Sequence, residues 1–138
     1  MSDRETIAHV LRSFRTWAVV GCSPHQWRDS HQIAALLQRS GYRVIPVHPN
    51  CDEVLGERCY PSLLDIPAEE GVEVVDVFRR SEAAGAHVDE AIEAGARAVW
   101  LQLGVFAGAA CERARAAGLQ VVENRCPAIE LPRLTARH

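Results

Sequence analysis

Lysine is missing from the 138 residues, and all fifteen basic side chains are arginine. That absence excludes Schiff-base chemistry, pyridoxal phosphate attachment and a phosphate loop built on lysine. Arginine remains, and its planar fork suits bidentate contact with phosphate. Cysteine is sparse and unpatterned. The five residues Cys22, Cys51, Cys59, Cys111 and Cys126 are odd in number and never form a CxxC, which argues against a disulfide framework or zinc ribbon and fits a reducing compartment. Long apolar runs are absent, and the amino-terminal MSDRETIAHVLRSF is charged from the start. No membrane span or signal sequence is therefore expected, and the chain is placed in the cytoplasm. Basic excess is absent too: a net charge of −3 disfavours duplex nucleic acid as a partner.

What is present reads as one globular domain, long enough to bury its own core. Five short, nearly continuous apolar segments recur at residues 17–21 (WAVVG), 42–47 (YRVIPV), 72–78 (VEVVDVF), 96–103 (ARAVWLQL) and 119–124 (LQVVEN). Strands buried on both faces of a parallel sheet have this character. Helical patterns lie between them, ending at Gly41, Gly95 and Gly118, where a left-handed residue closes a helix. Ser30 and Ser81 are expected as helix N-caps. Residues 3–15 read as an opening helix, and 126–134 as a closing helical segment interrupted by Pro132. Residues 50–67 break the rhythm, and a very short strand near 58–60 is expected there. Right-handed crossovers then favour an α/β, Rossmann-like, doubly wound, mostly parallel sheet in the order 3-2-1-4-5-6, with the short strand counted third.

Ligands of such sheets bind beyond the carboxyl ends of the strands, where strand order reverses. That point falls at Gly21 and Phe78. The residues following each predicted strand include Gly21, Cys22, Ser23, His48, Pro49, Asn50, Arg79, Arg80, Gln102, Gly104 and Arg125, with Arg28 in the first loop. An acidic chain thus gathers four arginines at one edge, suited to an anion with more than one phosphate. The turn Gly21-Cys22-Ser23-Pro24-His25-Gln26 keeps only the first glycine of GxGxxG, and His48 stands where an NAD-binding fold places its acidic ribose ligand. NAD is disfavoured on both counts.

The ordered motifs AVVGCSP, GYRVIPVHPN, VLGERCYPSL, VVDVFRRSE, AVWLQLGV and NRCPAIELPRL cover residues 17–134. In this order they resemble the small stand-alone CoA-binding domain family, similar in fold to the CoA-binding domain of the succinyl-CoA synthetase alpha subunit. The resemblance implies coenzyme A or an acyl-CoA as the small-molecule ligand. It implies that Gly21 and Ser23 lie against the pyrophosphate, with Cys22 in the same turn, and that Arg28 and Ser30 close the loop. It further implies His48, Pro49 and Asn50 at the adenosine end, Phe78 and Arg79 as the switch-point wall, and Gln102 with Gly104 along the pantetheine path. Family members often carry Arg-Pro-Ser where this chain has Arg28-Asp29-Ser30, so Asp29 adds a negative charge there.

No catalytic constellation stands out among the six histidines, and no enzyme is expected. Cys22, near a helix start and Arg28, invites a lowered thiol pKa and a redox role; a small residue tolerated in a tight turn is the plainer reading and is preferred. Cys22, His25 and His31 have no familiar metal-ligand spacing, and no metal is expected. Trp17 and Trp100 are expected in the core. Trp27 either covers an adenine or caps a helix. Two other function classes stay open beside non-catalytic CoA binding: an NAD(P)-binding oxidoreductase or redox protein, and an acyl-CoA-sensing module that docks on a partner enzyme.

Overall fold

The computed structural model describes residues 2–135. In chain order the elements are α1 (Asp3–Ser13), β1 (Thr16–Val20), α2 (Asp29–Arg39), β2 (Arg43–Val47), β3 (Glu53–Val54), β4 (Glu57–Arg58), β5 (Val74–Val77), α3 (Ser81–Glu93), β6 (Ala98–Leu101), α4 (Gly108–Ala116), β7 (Gln120–Val122) and α5 (Pro127–Thr135). The main sheet has the order β2-β1-β5-β6-β7, and every pairing in it is parallel. This is the Rossmann-like α/β class, with strand order reversing between β1 and β5.

Alternation along each strand divides the core in two. Trp17, Val19, Val74, Trp100 and Val122 point toward α1, α2 and α5, meeting Val10, Leu11, Ile33 and Leu37. Ala18, Val20, Val75, Val77, Val99 and Leu101 point the other way, onto the alanine-rich faces of α3 and α4. Trp17 and Trp100 are fully buried, their rings 5.5 Å apart. Each indole N–H is satisfied by a carbonyl at 2.9 Å, Phe14 O for Trp17 and Arg125 O for Trp100. Burial therefore leaves no orphan donor on either ring.

The helix boundaries follow local chemistry. Ser2 and Glu5 form a reciprocal capping box at the start of α1. Gly41, Gly95 and Gly118 all have positive φ at the expected helix ends. Ser30 and Ser81, however, are not N-caps. Arg28 and Arg80 hold those positions in extended backbone, and neither helix start has a side-chain cap. The serine hydroxyls instead make tertiary bonds, described below. α5 runs through Pro132 rather than stopping there; the carbonyl four residues earlier belongs to exposed Ala128, where water can serve it.

The expected third strand is corrected as well. Residues 57–58 pair antiparallel with β3 in a separate hairpin, and only Tyr60 reaches the main sheet, through a single parallel bridge to Val47. Tyr60 N–H donates to Pro46 O at 3.0 Å, and His48 N–H to Tyr60 O at 2.9 Å. Glu53, Glu57 and Arg58 are too polar to continue a strand buried on both faces, so the chain turns back as a hairpin.

Candidate functional site

At the carboxyl end of β1 the chain must turn beneath the end of β5. Gly21 does so with φ +83, and a Cβ there would meet the Phe78 carbonyl oxygen at 2.5 Å. Only glycine combines that conformation with that approach. The turn is then closed by its own hydrogen bonds. Gly21 and Cys22 N–H both donate to Val47 O (2.9 and 3.2 Å), and Ser23 N–H donates to Ser30 Oγ at 3.0 Å. His25 N–H donates to Ser23 Oγ, and His31 Nδ1–H donates to Ser23 O at 2.9 Å. Ser30 thus draws the first turn of α2 back onto the loop. The amides of Gly21, Cys22 and Ser23 are consequently engaged within the protein, whereas the first turn of α2 keeps the free N–H groups of an uncapped helix start.

Around this turn opens a cleft of about 540 Å³, lined by Gly21, Ser23, Arg28, Ser30, His48, Pro49, Asn50, Phe78 and Arg79, together with His25 and Asp29. A second cleft of about 480 Å³ shares Asp29, Phe78 and Arg79 with the first and continues past Gln32, Ile33, Gln102, Leu103 and Cys126. Phe78 and Arg79 form the wall between the two. Arg28 and Arg79 enter no ion pair among the described residues, whereas Arg43, Arg113, Arg115, Arg125 and Arg133 each have a carboxylate partner. Two uncompensated guanidinium groups and a helix N-terminus therefore face one cavity, a favourable field for an anion. Asp29 is the single carboxylate lining the first cleft.

The His48 imidazole is less basic than usual. Partial burial lowers its pKa, and the nearby Arg79 and His25 charges add to that. Its Nδ1 accepts the Asn50 N–H at 3.1 Å, which fixes the ring against the turn after β2. The second cleft is more apolar, with Ile33, Phe78, Leu103 and Val105 on its walls and Gln102 among them. Gln102 is 9% exposed, and its Oε1 lacks a hydrogen-bond partner. A buried amide oxygen left open beside a cavity is an acceptor available to a ligand N–H.

A family model described as a CoA binding domain matches residues 15–132, most of the chain. The chain belongs to the CoA-binding domain family. It is 34% identical over 124 residues to the uncharacterized protein YneT of Bacillus subtilis, covering 90% of each chain. A hypothetical protein from Pyrococcus horikoshii superposes with a TM-score of 0.90 at 41% identity, covering 98% of this chain and 93% of that one. A further match, 37% identical over 62 residues, is to an ADP-forming acetate–CoA ligase of Archaeoglobus fulgidus; it takes in 44% of this chain and 9% of that enzyme. This CoA-binding domain is thus related to a short part of a CoA ligase.

Several residues singled out in the sequence of this CoA-binding domain lie apart from the first cleft. Gln102 belongs to the second. Gly104 lines neither; it sits in the loop after β6, where its N–H donates to Asn124 Oδ1 at 2.8 Å and its carbonyl accepts from Ser81 Oγ at 3.4 Å. Ser81 Oγ also accepts the Phe106 N–H, so this serine pins the loop rather than capping α3. Arg125 faces the α1 side, with Asp3 at 3.5 Å, and the expected four-arginine edge reduces to Arg28, Arg79 and Arg80.

Cys22 lines neither cleft, and its placement accords with the preferred reading of a small residue in a tight turn. Its side chain is fully buried beneath the turn, and burial, with Cys59, Asp76 and Cys51 nearby, pushes the thiol up to about 12. Desolvation thus disfavours the thiolate that a position near a helix start and Arg28 would invite. Trp27 is 72% exposed and stacks on His25, with ring centroids 4.5 Å apart and planes 14° from parallel. It therefore projects from the rim rather than capping α2. Sequence reasoning passed over Gln32 and Ile33, although their positions three and four residues after Asp29 put them on the same helix face.

Proposed function

We propose that this domain binds coenzyme A or an acyl-CoA in the two joined clefts and performs no chemistry on it by itself. The reading is carried by Arg28 and Arg79, which enter no ion pair among the described residues and line one cleft with the uncapped start of α2. Phosphate groups occupy the first cleft. The adenosine end lies against His48, Pro49 and Asn50, while Gly21, Ser23 and Ser30 shape the floor under the pyrophosphate. The pantetheine arm passes Phe78 and enters the second cleft, where Gln102 Oε1 accepts an amide N–H; Gly104 shapes that path through its loop. Cys22 supports the turn from below.

Among the described residues that line the two clefts, no nucleophile is paired with a base, which supports binding without catalysis. His31 Nδ1 is tied to the Ser23 carbonyl, His48 Nδ1 receives the Asn50 amide, and Cys22 is inaccessible. A dinucleotide is less suited, because His48 replaces the carboxylate that would hold a ribose hydroxyl. The acyl-CoA-sensing alternative would add a protein partner to the same ligand site.

The test is a thermal-shift titration with CoA, dephospho-CoA, NAD and NADP in parallel. CoA at about 100 times its Kd is expected to add roughly 2.7 kcal/mol of stability, and dephospho-CoA is expected to bind more weakly. Arg79→Ala should weaken CoA by roughly 10- to 100-fold, the range for a lost charge-assisted hydrogen bond of about 1.5–3 kcal/mol. A shift with NAD or NADP alone would overturn the reading, as would undiminished CoA affinity in the combined Arg28→Ala and Arg79→Ala variant.

A further inference from the structure

Two thiols meet behind the wall of the first cleft that His48, Pro49 and Asn50 build. Cys51 follows Asn50 directly, and its Sγ lies 3.6 Å from the Sγ of Cys59. The two residues flank the β3–β4 hairpin, Cys51 before β3 and Cys59 directly after β4. The hairpin is clamped at its base by a 2.8 Å bond from the Cys59 N–H to Asp52 O, and the Cys59 thiol also donates to His48 O at 3.7 Å. The backbone therefore holds the two sulfurs at van der Waals contact. Among the described residues, no group of three or more His, Cys, Asp or Glu is placed to hold a metal, so the contact is not part of a metal site.

We infer that Cys51 and Cys59 form a reversible disulfide, which makes this corner a thiol-modification site tied to the cleft wall. The oxidant is a low-molecular-weight disulfide, RSSR. Exposure assigns the order of events, since Cys51 is partly exposed while Cys59 is buried. The Cys51 thiol loses its proton and attacks one sulfur of RSSR, and the departing thiolate takes up a proton as RSH. Cys59 then loses its proton and attacks the Cys51 sulfur, breaking the mixed disulfide and releasing the second RSH. Two protein thiols are oxidised and one small disulfide is reduced. Burial, with Cys51 alongside, raises the Cys59 pKa and makes it the poorer first nucleophile, whereas its contact with the Cys51 sulfur makes the second attack intramolecular. The new bond draws residue 51 toward the hairpin, and with it the adjoining Pro49 and Asn50.

The experiment incubates the full-length protein with oxidised glutathione, blocks the remaining thiols by alkylation, and identifies linked peptides by mass spectrometry. A Cys51–Cys59 linked peptide that dithiothreitol abolishes is the expected result. Cys59→Ser should retain glutathione on Cys51, because the resolving thiol is gone, while Cys51→Ser should leave Cys59 unmodified under the same conditions. A lasting glutathione adduct on wild-type Cys51 beside a free Cys59, a link through Cys22, or no modification of either residue would each overturn the inference. The readout does not depend on what the cleft binds, so failure of CoA binding in a separate titration leaves it intact.

Discussion

Replacing Asp76 with asparagine is expected to raise the melting temperature at pH 7.5 and to flatten the pH dependence of stability. Asp76 lies in the middle of β5, paired in register with Val19 of β1 and Trp100 of β6. It is fully buried, and neither carboxylate oxygen has a hydrogen-bond partner. Desolvation therefore pushes its pKa well above the ordinary carboxylate range. A raised acid binds a proton in the folded state that the unfolded chain has already released at neutral pH. Stability from this group is consequently lost as pH rises above the unfolded value near ~3.9, by about 1.4 kcal/mol per pH unit until the folded pKa is reached. Asparagine keeps the shape without the ionisation. Melting curves of the two proteins should converge near pH 4 and separate as pH rises toward the folded pKa, by roughly 3–5 °C per unit. Asp76→Val removes the unsatisfied polar atoms as well and is expected to melt higher still. Parallel pH profiles for wild type and Asp76→Asn would show that the carboxyl does not titrate in this way.

The second large effect is expected at Gly21. Alanine there must adopt φ +83, at a cost of about 1–3 kcal/mol, and its Cβ would lie 2.5 Å from the Phe78 carbonyl oxygen. Backbone on both sides must then separate, parting the end of β1 from the end of β5 where the clefts begin. Gly21→Ala should lower the melting temperature by roughly 3–10 °C and abolish the CoA-induced shift. Gly41→Ala supplies the control. That glycine has φ +94 but nothing within 4 Å of an added Cβ, and it closes the far end of α2. It should lose stability through backbone strain alone and keep the ligand response. Equal ligand response in the two variants would separate Gly21 from the proposed site.

Much of this architecture was legible because each buried strand leaves a compact apolar run and α2, α3 and α4 each end at a left-handed glycine. The switch point at Gly21 and Phe78 followed from those runs, and nine of the twelve residues singled out line one cleft. What escaped depends on tertiary partners. Ser30 and Ser81 have the chemistry of N-caps, but their hydroxyls are taken by the Ser23 and Phe106 amides, remote in sequence. Arg125 follows a strand as Arg79 does, yet Asp3 draws it to the opposite side. Cys22 sits near a helix start, but depth of burial decides its protonation, and sequence position alone does not reveal depth. Asp76 was visible as a carboxylate inside VVDVF, an anomaly whose meaning required knowing that both neighbouring strands cover it.

The lone bridge at Tyr60 bears on how this sheet meets its surroundings. Beyond that bridge the outer side of β2 is a free margin, the kind of backbone row that recruits strands from other molecules. Pro46 lies on that margin: its carbonyl points outward to receive the Tyr60 amide, so the position where an N–H would also point outward has none to give. The inward ladder to β1 loses nothing, because Val47 presents its carbonyl there to Gly21 and Cys22. At the opposite margin β7 is only three residues long. Neither border offers an incoming strand a continuous run of donors, and β-augmentation or fibre-like stacking through this sheet is disfavoured by the chain itself.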